Sequence, residues 1–109
     1  MVAFQMIDTL FLEWIKNKEG LLQTLGFTLE IIQTPADSPN PAVRANIDSN
    51  DYLSQIIVWR DGSYNIDAIQ FSSEVTLITC SREGLKEDMF AEVFNELMNH
   101  MQANSNPLL

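Results

Sequence analysis

An Asp61-Gly62 pair joins two runs of residues with high β propensity, residues 52–60 and residues 63–71. An Asp-Gly pair in this setting is the strongest short-range sequence signal for a β-hairpin. The first run is densely apolar at its centre, which favours a strand in the middle of a sheet rather than at its edge. The sequence therefore predicts a central hairpin, with Trp59 and Tyr64 flanking the turn and presenting aromatic surface at one end.

Three further strands are predicted around this hairpin. Phe27 to Thr34 and Val43 to Asp48 precede it, and Val75 to Ser81 follows it. The last four strands are joined by short connections, and short connections require antiparallel neighbours because a parallel pair needs a crossover of about a dozen residues. The segment Pro35–Pro41 has three prolines in seven residues, which predicts a surface loop between the first two strands.

An amphipathic helix is predicted at each end of the chain, because apolar residues recur there at spacings of three and four. We expect Gly20 to bend or interrupt the first helix, Gly26 to end it, and Ser81 to cap the last one. The predicted apolar faces comprise Phe4, Ile7, Leu10, Phe11, Trp14 and Ile15 in the first helix, and Leu85, Met89, Phe90, Val93, Phe94, Leu97 and Met101 in the last.

These elements predict an α+β fold: a five-stranded antiparallel meander sheet with N-terminal and C-terminal helices packed on one face. We expect a single domain over residues 1–103 and a flexible C-terminal tail over residues 104–109. The strand residues that alternate toward the helices are Val43, Ala45, Ile47, Ile56, Val58, Ile66 and Ala68. The opposite face would then be left open, and it would carry Arg44, Asn46, Asp48, Gln55, Ile57, Trp59, Asn65, Asp67 and Ile69.

The open face is the predicted binding surface, because it combines polar and acidic residues with apolar and aromatic ones. Trp59 would be its anchor beside Asp48, Asp61 and Asp67. The alternative, that Trp59 is buried under a helix, stays open at this point. The candidate partner-binding residues are Arg44, Asn46, Asp48, Asp51, Tyr52, Gln55, Trp59, Asp61, Tyr64 and Asp67.

The chain carries 15 acidic and 6 basic residues, a net charge of −9. Binding to nucleic-acid phosphates or to an anionic membrane surface relies on Lys and Arg, so this composition argues against both. Two interpretations of the acidic charge remain. It either keeps the protein in solution or steers it toward a basic partner, such as a nucleic-acid-acting toxin, a nucleotide-using enzyme or a positively charged effector.

Residues for catalysis or metal binding are few. Cys80 and His100 are the only residues of their types, and they lack the spacing of a zinc site. Asp48, Asp51 and Asp61 lie near turns without the spacing of a calcium-binding loop. The sequence contains no phosphate-binding loop, nucleophile elbow or dinucleotide fingerprint. We therefore expect no enzymatic activity, no metal and no cofactor.

The expected location is the cytoplasm. A single cysteine cannot form an intramolecular disulfide, which fits a reducing compartment. The first residues lack the basic start of a signal peptide, and no apolar run approaches the roughly 20 residues of a membrane span. Of the possible oligomeric states, a monomer is favoured.

Several segments resemble the TriTu-type immunity proteins of bacteria. These segments are Glu13-Trp14-Ile15, Leu25-Gly26-Phe27, Asp48 to Leu53, Ile57 to Gly62 and Asn65-Ile66-Asp67. The resemblance covers roughly residues 14–101, and it is not carried by the Pro35–Pro41 loop. It implies a protein made beside a polymorphic toxin that is delivered to competing bacteria, and it implies that this protein binds the toxic domain to protect the producer. The toxin implied is an ADP-ribosyltransferase that modifies elongation factor Tu, and we expect the protein to occlude its active site.

Two other function classes fit the residues as well. One is an acidic secretion chaperone or adaptor that binds a secreted effector, and the other is a stand-alone small-molecule-binding module. The neighbouring gene separates immunity from chaperoning. A toxin gene favours immunity, and a secreted non-toxic effector favours a chaperone.

Overall fold

The computed structural model describes residues 6–35 and 37–105, with side chains up to Met101. Helices α1 and α2 are followed by a five-stranded sheet in the order β1-β2-β3-β4-β5, with every neighbouring pair antiparallel. A single 3₁₀ turn, Glu87–Met89, leads into helix α3. The bounds are α1 Ile7–Lys16, α2 Glu19–Thr24, β1 Thr28–Gln33, β2 Ala42–Asp48, β3 Tyr52–Trp59, β4 Tyr64–Gln70, β5 Val75–Arg82 and α3 Phe90–Ser105. The predicted α+β class and meander order are confirmed.

The core lies between the helices and one face of the sheet. Helix α1 contacts β2 and β3, and helix α3 contacts β4 and β5. The strand residues predicted to face the helices are all buried, and the two helices meet through aromatic rings, with Phe90 placed 5.4 Å from Phe11 and 5.8 Å from Trp14. The helices therefore cover one face of the sheet, as predicted, and leave the other open.

The break in the N-terminal helical region does not fall at Gly20, which lies inside α2. Helix α1 ends at Lys16, where the Asn17 side-chain amide donates to the Glu13 carbonyl (3.1 Å) and the Lys18 amide donates to the Ile15 carbonyl (2.9 Å). These bonds satisfy carbonyls of the last turn and close the helix early. The predicted interruption at Gly20 is wrong by a few residues. The predicted helix residue Phe4 lies outside the described residues.

Gly26 ends α2 as predicted. Its φ of +90° is the left-handed conformation that glycine adopts most easily. The Gly26 amide donates to the Gln23 carbonyl (3.0 Å), and the Phe27 amide donates to the Leu22 carbonyl (2.8 Å). This pair of bonds is a Schellman motif, which turns the chain directly from α2 into β1.

Ser81 does not cap the last helix, so that prediction is wrong. Ser81 lies within β5 opposite Asn65, because the ladder between β4 and β5 continues to Arg82. The chain then bends at Gly84, and Leu85 is held against the central hairpin by its amide, which donates to the Gly62 carbonyl (3.0 Å). Helix α3 extends to Ser105, so residues 104 and 105 of the predicted tail are helical, and residues 106–109 lie outside the described part of the chain.

One ion pair ties β5 to α3 and should make stability depend on pH. The Arg82 guanidinium donates two hydrogen bonds to the Glu96 carboxylate, at 2.7 and 2.8 Å. These bonds hold the pKa of Glu96 below its usual 4.5. Since the folded-state pKa lies below the unfolded one, this stabilisation is complete above pH 4.5 and is lost as pH falls through the folded-state value.

We therefore expect Glu96→Gln to lower the free energy of unfolding by no more than about 1 kcal/mol near neutral pH, because both side chains are partly exposed. Urea denaturation of both proteins at about pH 5.5 and about pH 3 measures this difference. It should shrink at the lower pH. A difference that is equal at both pH values would contradict the assignment.

Candidate partner-binding face

The open face is the surface of the sheet opposite the helices, and the strand register arranges it in three rows across the five strands. In order from β1 to β5, the rows are Ile32, Arg44, Ile57, Asn65 and Ser81; Glu30, Asn46, Gln55, Asp67 and Thr79; and Thr28, Asp48, Leu53, Ile69 and Thr76. Trp59 lies beyond the first row, opposite Ala42 and half-buried. The predicted membership of this face is confirmed, and Trp59 is on it rather than under a helix.

The carboxylates of the open face are held by neutral donors. The Asn46 amide donates to Glu30 (3.1 Å), and the backbone amide of Ser54 donates to Asp48 (3.2 Å). Asp67 accepts from the Gln55 amide (3.3 Å) and from the Thr79 hydroxyl (2.6 Å). These bonds fix the orientation of the acidic groups without neutralising their charge.

A depression of about 310 Å³ lies across the second and third rows and extends to Arg44 in the first row. Its floor and walls combine polar groups with apolar side chains that face water: Leu53 is 48% exposed and Ile69 is 40% exposed. Beyond the end of β4, Phe71 is 52% exposed. The lining residues are Arg44, Asn46, Leu53, Ser54, Gln55, Asp67 and Ile69. Exposed apolar groups beside fixed polar ones are typical of a protein-binding surface.

Five of the predicted binding residues come together at this depression. Arg44, Asn46, Gln55 and Asp67 line it, and Asp48 lies next to Leu53 in the third row. Whether they bind a partner stays a prediction. Their proximity follows from the register, because the five residues lie on the consecutive strands β2, β3 and β4 and within three successive rows.

Trp59 is not ringed by the acidic residues that were expected around it. It is four strand residues from Gln55, the partner of Asp67, and six from Leu53, the partner of Asp48, or about 13 and about 20 Å along the strand. Asp61 is at the hairpin end with Trp59. There it accepts from the backbone amide of Ser63 (2.8 Å) and from Asn40 (3.1 Å).

The expectation that Tyr64 presents aromatic surface is wrong, and Tyr52 is also in the core. Both are only 3% exposed, and Tyr52 packs on Phe27 with ring centroids 6.4 Å apart. The physical reason is strand alternation: Tyr52 shares its side of β3 with Ile56, and Tyr64 shares its side of β4 with Ile66. Neither ring is available at the open face.

Asp51 and Asp61 serve the turns. Asp51 accepts from the Gln70 amide (2.9 Å) and from the backbone and hydroxyl groups of Ser72 (3.0 and 3.3 Å), and these bonds lower its pKa. The backbone amide of Ser63 is the main cause of a lowered pKa at Asp61. Both carboxylates therefore remain ionised and tie neighbouring loops together.

Two residues of the depression, Leu53 and Ile69, were missing from the candidate binding set. Strand alternation places Leu53 on the same side as Gln55 and Ile57, and this was the available signal. It was weak because an apolar strand residue is more often core than surface. Their cross-strand pairing reveals them as one exposed patch.

The described residues give no support for a metal site or a membrane-spanning helix. Among their His, Cys, Asp and Glu side chains, no three lie close enough to hold a metal ion. Cys80 is half-buried and packs against the core. Among the helices described, none combines the length and apolar character needed to cross a membrane.

Comparison with known protein families matches residues 9–100 to the model described as immunity protein TriTu. The chain belongs to the TriTu immunity protein family. The match runs from α1 into α3 and so includes the whole sheet and its open face, in agreement with the resemblance drawn from the sequence. No protein with curated annotation matches the chain. Membership of the family gives the protein a toxin-neutralising role, exercised by binding a cognate toxin protein.

Proposed function

We propose that the protein neutralises an ADP-ribosyltransferase toxin that acts on elongation factor Tu, and that it does so by laying its open face over the toxin's catalytic cleft. The observation that carries the proposal is the open face itself, a pre-formed sheet surface with a depression of about 310 Å³ and exposed apolar side chains. The resemblance noted in the sequence supports the toxin class, and family membership supports toxin binding.

The charge of the protein fits this partner. An ADP-ribosyltransferase must hold the pyrophosphate of NAD, so its cleft carries positive charge that an acidic inhibitor complements. A net charge of −9 then accelerates encounter, and this acceleration weakens as salt screens it. In this mechanism the protein acts by binding rather than catalysis, uses no cofactor, and works as a monomer in the cytoplasm of the producer.

Three assays test the proposal with the toxin domain encoded next to this chain. Co-expression should rescue a susceptible bacterium, and the purified protein should block transfer of labelled ADP-ribose to elongation factor Tu. It should also compete with a nonhydrolysable NAD analogue for the toxin. A neighbour that is not toxic but needs this protein for its secretion would instead establish the secretion-chaperone alternative.

A matched pair of variants tests whether the open face is the contact surface. Leu53 in the depression and Leu21 on α2 are exposed to nearly the same extent, 48% and 49%. Leu53→Glu and Leu21→Glu therefore make the same chemical change at two places. We expect Leu53→Glu to weaken toxin binding by about tenfold or more, because it puts a charge into a desolvated contact, and Leu21→Glu to change it less than about threefold.

Surface plasmon resonance measures both affinities, and circular dichroism checks that both variants remain folded. Equal losses for the two variants, or a loss for Leu21→Glu alone, would move the binding surface away from the open face. Trp59→Ala and Asp67→Lys extend the test to the hairpin end and to the centre of the face.

A further inference from the structure

Arg44 is the one basic side chain of the open face, and it has no partner among the described residues. The ion pairs of Asp8 with Arg60 and of Glu96 with Arg82 lie elsewhere in the structure. The Nε atom of Arg44 is buried and donates no hydrogen bond to any residue that the structure describes. A buried donor without an acceptor costs free energy, so a native structure that keeps one needs an explanation.

The surroundings of Arg44 raise the strength of any bond it makes. In its row, Arg44 lies between Ile32 on β1 and Ile57 on β3, so apolar side chains flank it on both sides. Charge-assisted hydrogen bonds strengthen where water is displaced by apolar groups. Arg44 also lines the depression, so a group inserted there would meet its side chain.

The nearby carboxylates are engaged by other donors. Glu30 and Asp67 lie in the next row, and each accepts a hydrogen bond from a neutral amide, from Asn46 and Gln55 respectively. Asp48, one row further, accepts from the backbone of Ser54. Three acidic groups therefore share a face with one arginine, and none of them forms an ion pair with it. The arrangement keeps the guanidinium free.

We propose that Arg44 binds a carboxylate that the toxin inserts into the depression. This inference rests on the proposed function and specifies the partner's chemistry. A carboxylate matches the planar fork of a guanidinium with two parallel hydrogen bonds, which a lysine could not offer. Because Glu30, Asp48 and Asp67 lie on the same face as Arg44, the complementary toxin surface is one acidic side chain flanked by basic ones. Such a pattern selects the cognate toxin against one that is uniformly basic.

The test compares Arg44→Gln with Arg82→Gln for binding to the neighbouring toxin domain. Both variants change the net charge equally, so long-range steering is nearly matched. Arg44→Gln should raise Kd by about 30-fold or more, mainly through faster dissociation, and Arg82→Gln should raise it by less than about threefold. Arg44→Lys, which keeps the charge and loses the fork, should fall between them. Equal effects of Arg44→Gln and Arg82→Gln would overturn the proposal.

The melting temperature separates a binding role from a structural one. Arg44→Gln should melt close to the temperature of the wild-type protein, since the Nε atom that it replaces donates no hydrogen bond to a described residue. A lower melting temperature together with unchanged affinity would make Arg44 structural and overturn the proposal.

The partner carboxylate is found by a double-mutant cycle. Each surface Asp or Glu of the toxin is replaced by Asn or Gln, and binding is measured against wild-type and Arg44→Gln protein. Replacing one acidic residue of the toxin should weaken binding to the wild-type protein and leave binding to the Arg44→Gln variant unchanged. The absence of any such residue, while wild-type protein still binds, overturns this inference and leaves the proposed function standing. Failure of the wild-type protein to bind overturns both.

A second copy of the chain is the competing occupant, because the open face carries charges of both signs. Sedimentation of the free protein tests it. A wild-type dimer that Arg44→Gln dissociates would assign the face to self-association and overturn the assignment to the toxin.

Discussion

Replacing Phe90 with Ala is expected to destabilise the protein by about 3–5 kcal/mol. Phe90 is 1% exposed and lies at the first residue of α3, in edge contact with Phe11 and tilted against Trp14. Its ring joins the N-terminal and C-terminal helices above the sheet, so its removal leaves a cavity that the helices cannot close without moving. A domain of this size has a total stability of roughly 5–15 kcal/mol, so this one change removes a large share.

The matched control for this prediction is Phe71→Ala. Phe71 is the same residue type, 52% exposed beyond the end of β4, and its removal should change stability by less than about 1 kcal/mol. Urea denaturation followed by circular dichroism measures both variants. Similar losses of stability for the two variants would contradict the placement of Phe90 in the core between the helices and the sheet.

Arg60→Ala is expected to lower the free energy of unfolding by about 2–4 kcal/mol. This is the second-largest effect expected for a substitution in this protein. The Arg60 guanidinium bonds both carboxylate oxygens of Asp8, at 3.1 and 3.2 Å, and so ties the first turn of α1 to the central hairpin. Asp8 is only 4% exposed, so its charge would be left buried without its partner. The expected loss is smaller than for a fully buried ion pair because the Arg60 side chain is 35% exposed. Water can therefore reach the Asp8 carboxylate when the guanidinium is removed.

Two comparisons isolate the buried charge as the cause. Arg82→Ala removes the other bidentate arginine, whose pair with Glu96 is partly exposed, and should cost less than about 1 kcal/mol. The double variant Asp8→Asn with Arg60→Ala should be more stable than Arg60→Ala alone, because the amide no longer carries the charge. If Arg60→Ala and Arg82→Ala destabilise equally, burial of Asp8 is not the determining factor.

The sheet was predictable because its signals are local. Alternation along each strand separates the covered from the open side, and short connections impose antiparallel order. The same alternation, applied to Tyr52 and Tyr64, would have placed both in the core, where they lie. Their proximity to turns suggested exposure instead, and that inference failed because both rings pack into the hydrophobic core.

The helix ends were less predictable, because competing hydrogen bonds decide them. Gly20 has low helix propensity, yet the chain breaks at Asn17, whose side chain satisfies a carbonyl of the last turn of α1. Ser81 is a good N-cap residue, but pairing with β4 holds it in the ladder. In both cases a specific bond outweighed a local preference worth about 1 kcal/mol.

The amino-acid sequence by itself determined the order of the elements, the antiparallel connections, the acidic charge and which residues of a strand share one side of the sheet. These properties depend on neighbours along the chain. The tertiary structure alone decided the register of the sheet, that is, which residue of each strand pairs with which residue of the next. That register separates Trp59 from Asp48 and Asp67, and it pairs Leu53 with Ile69. It also places the amides of Asn46 and Gln55 where they donate to the carboxylates of the open face. Register arises from hydrogen bonds and packing between residues distant in sequence. The sequence therefore predicted which residues lie on the open face, but not how they are arranged across it.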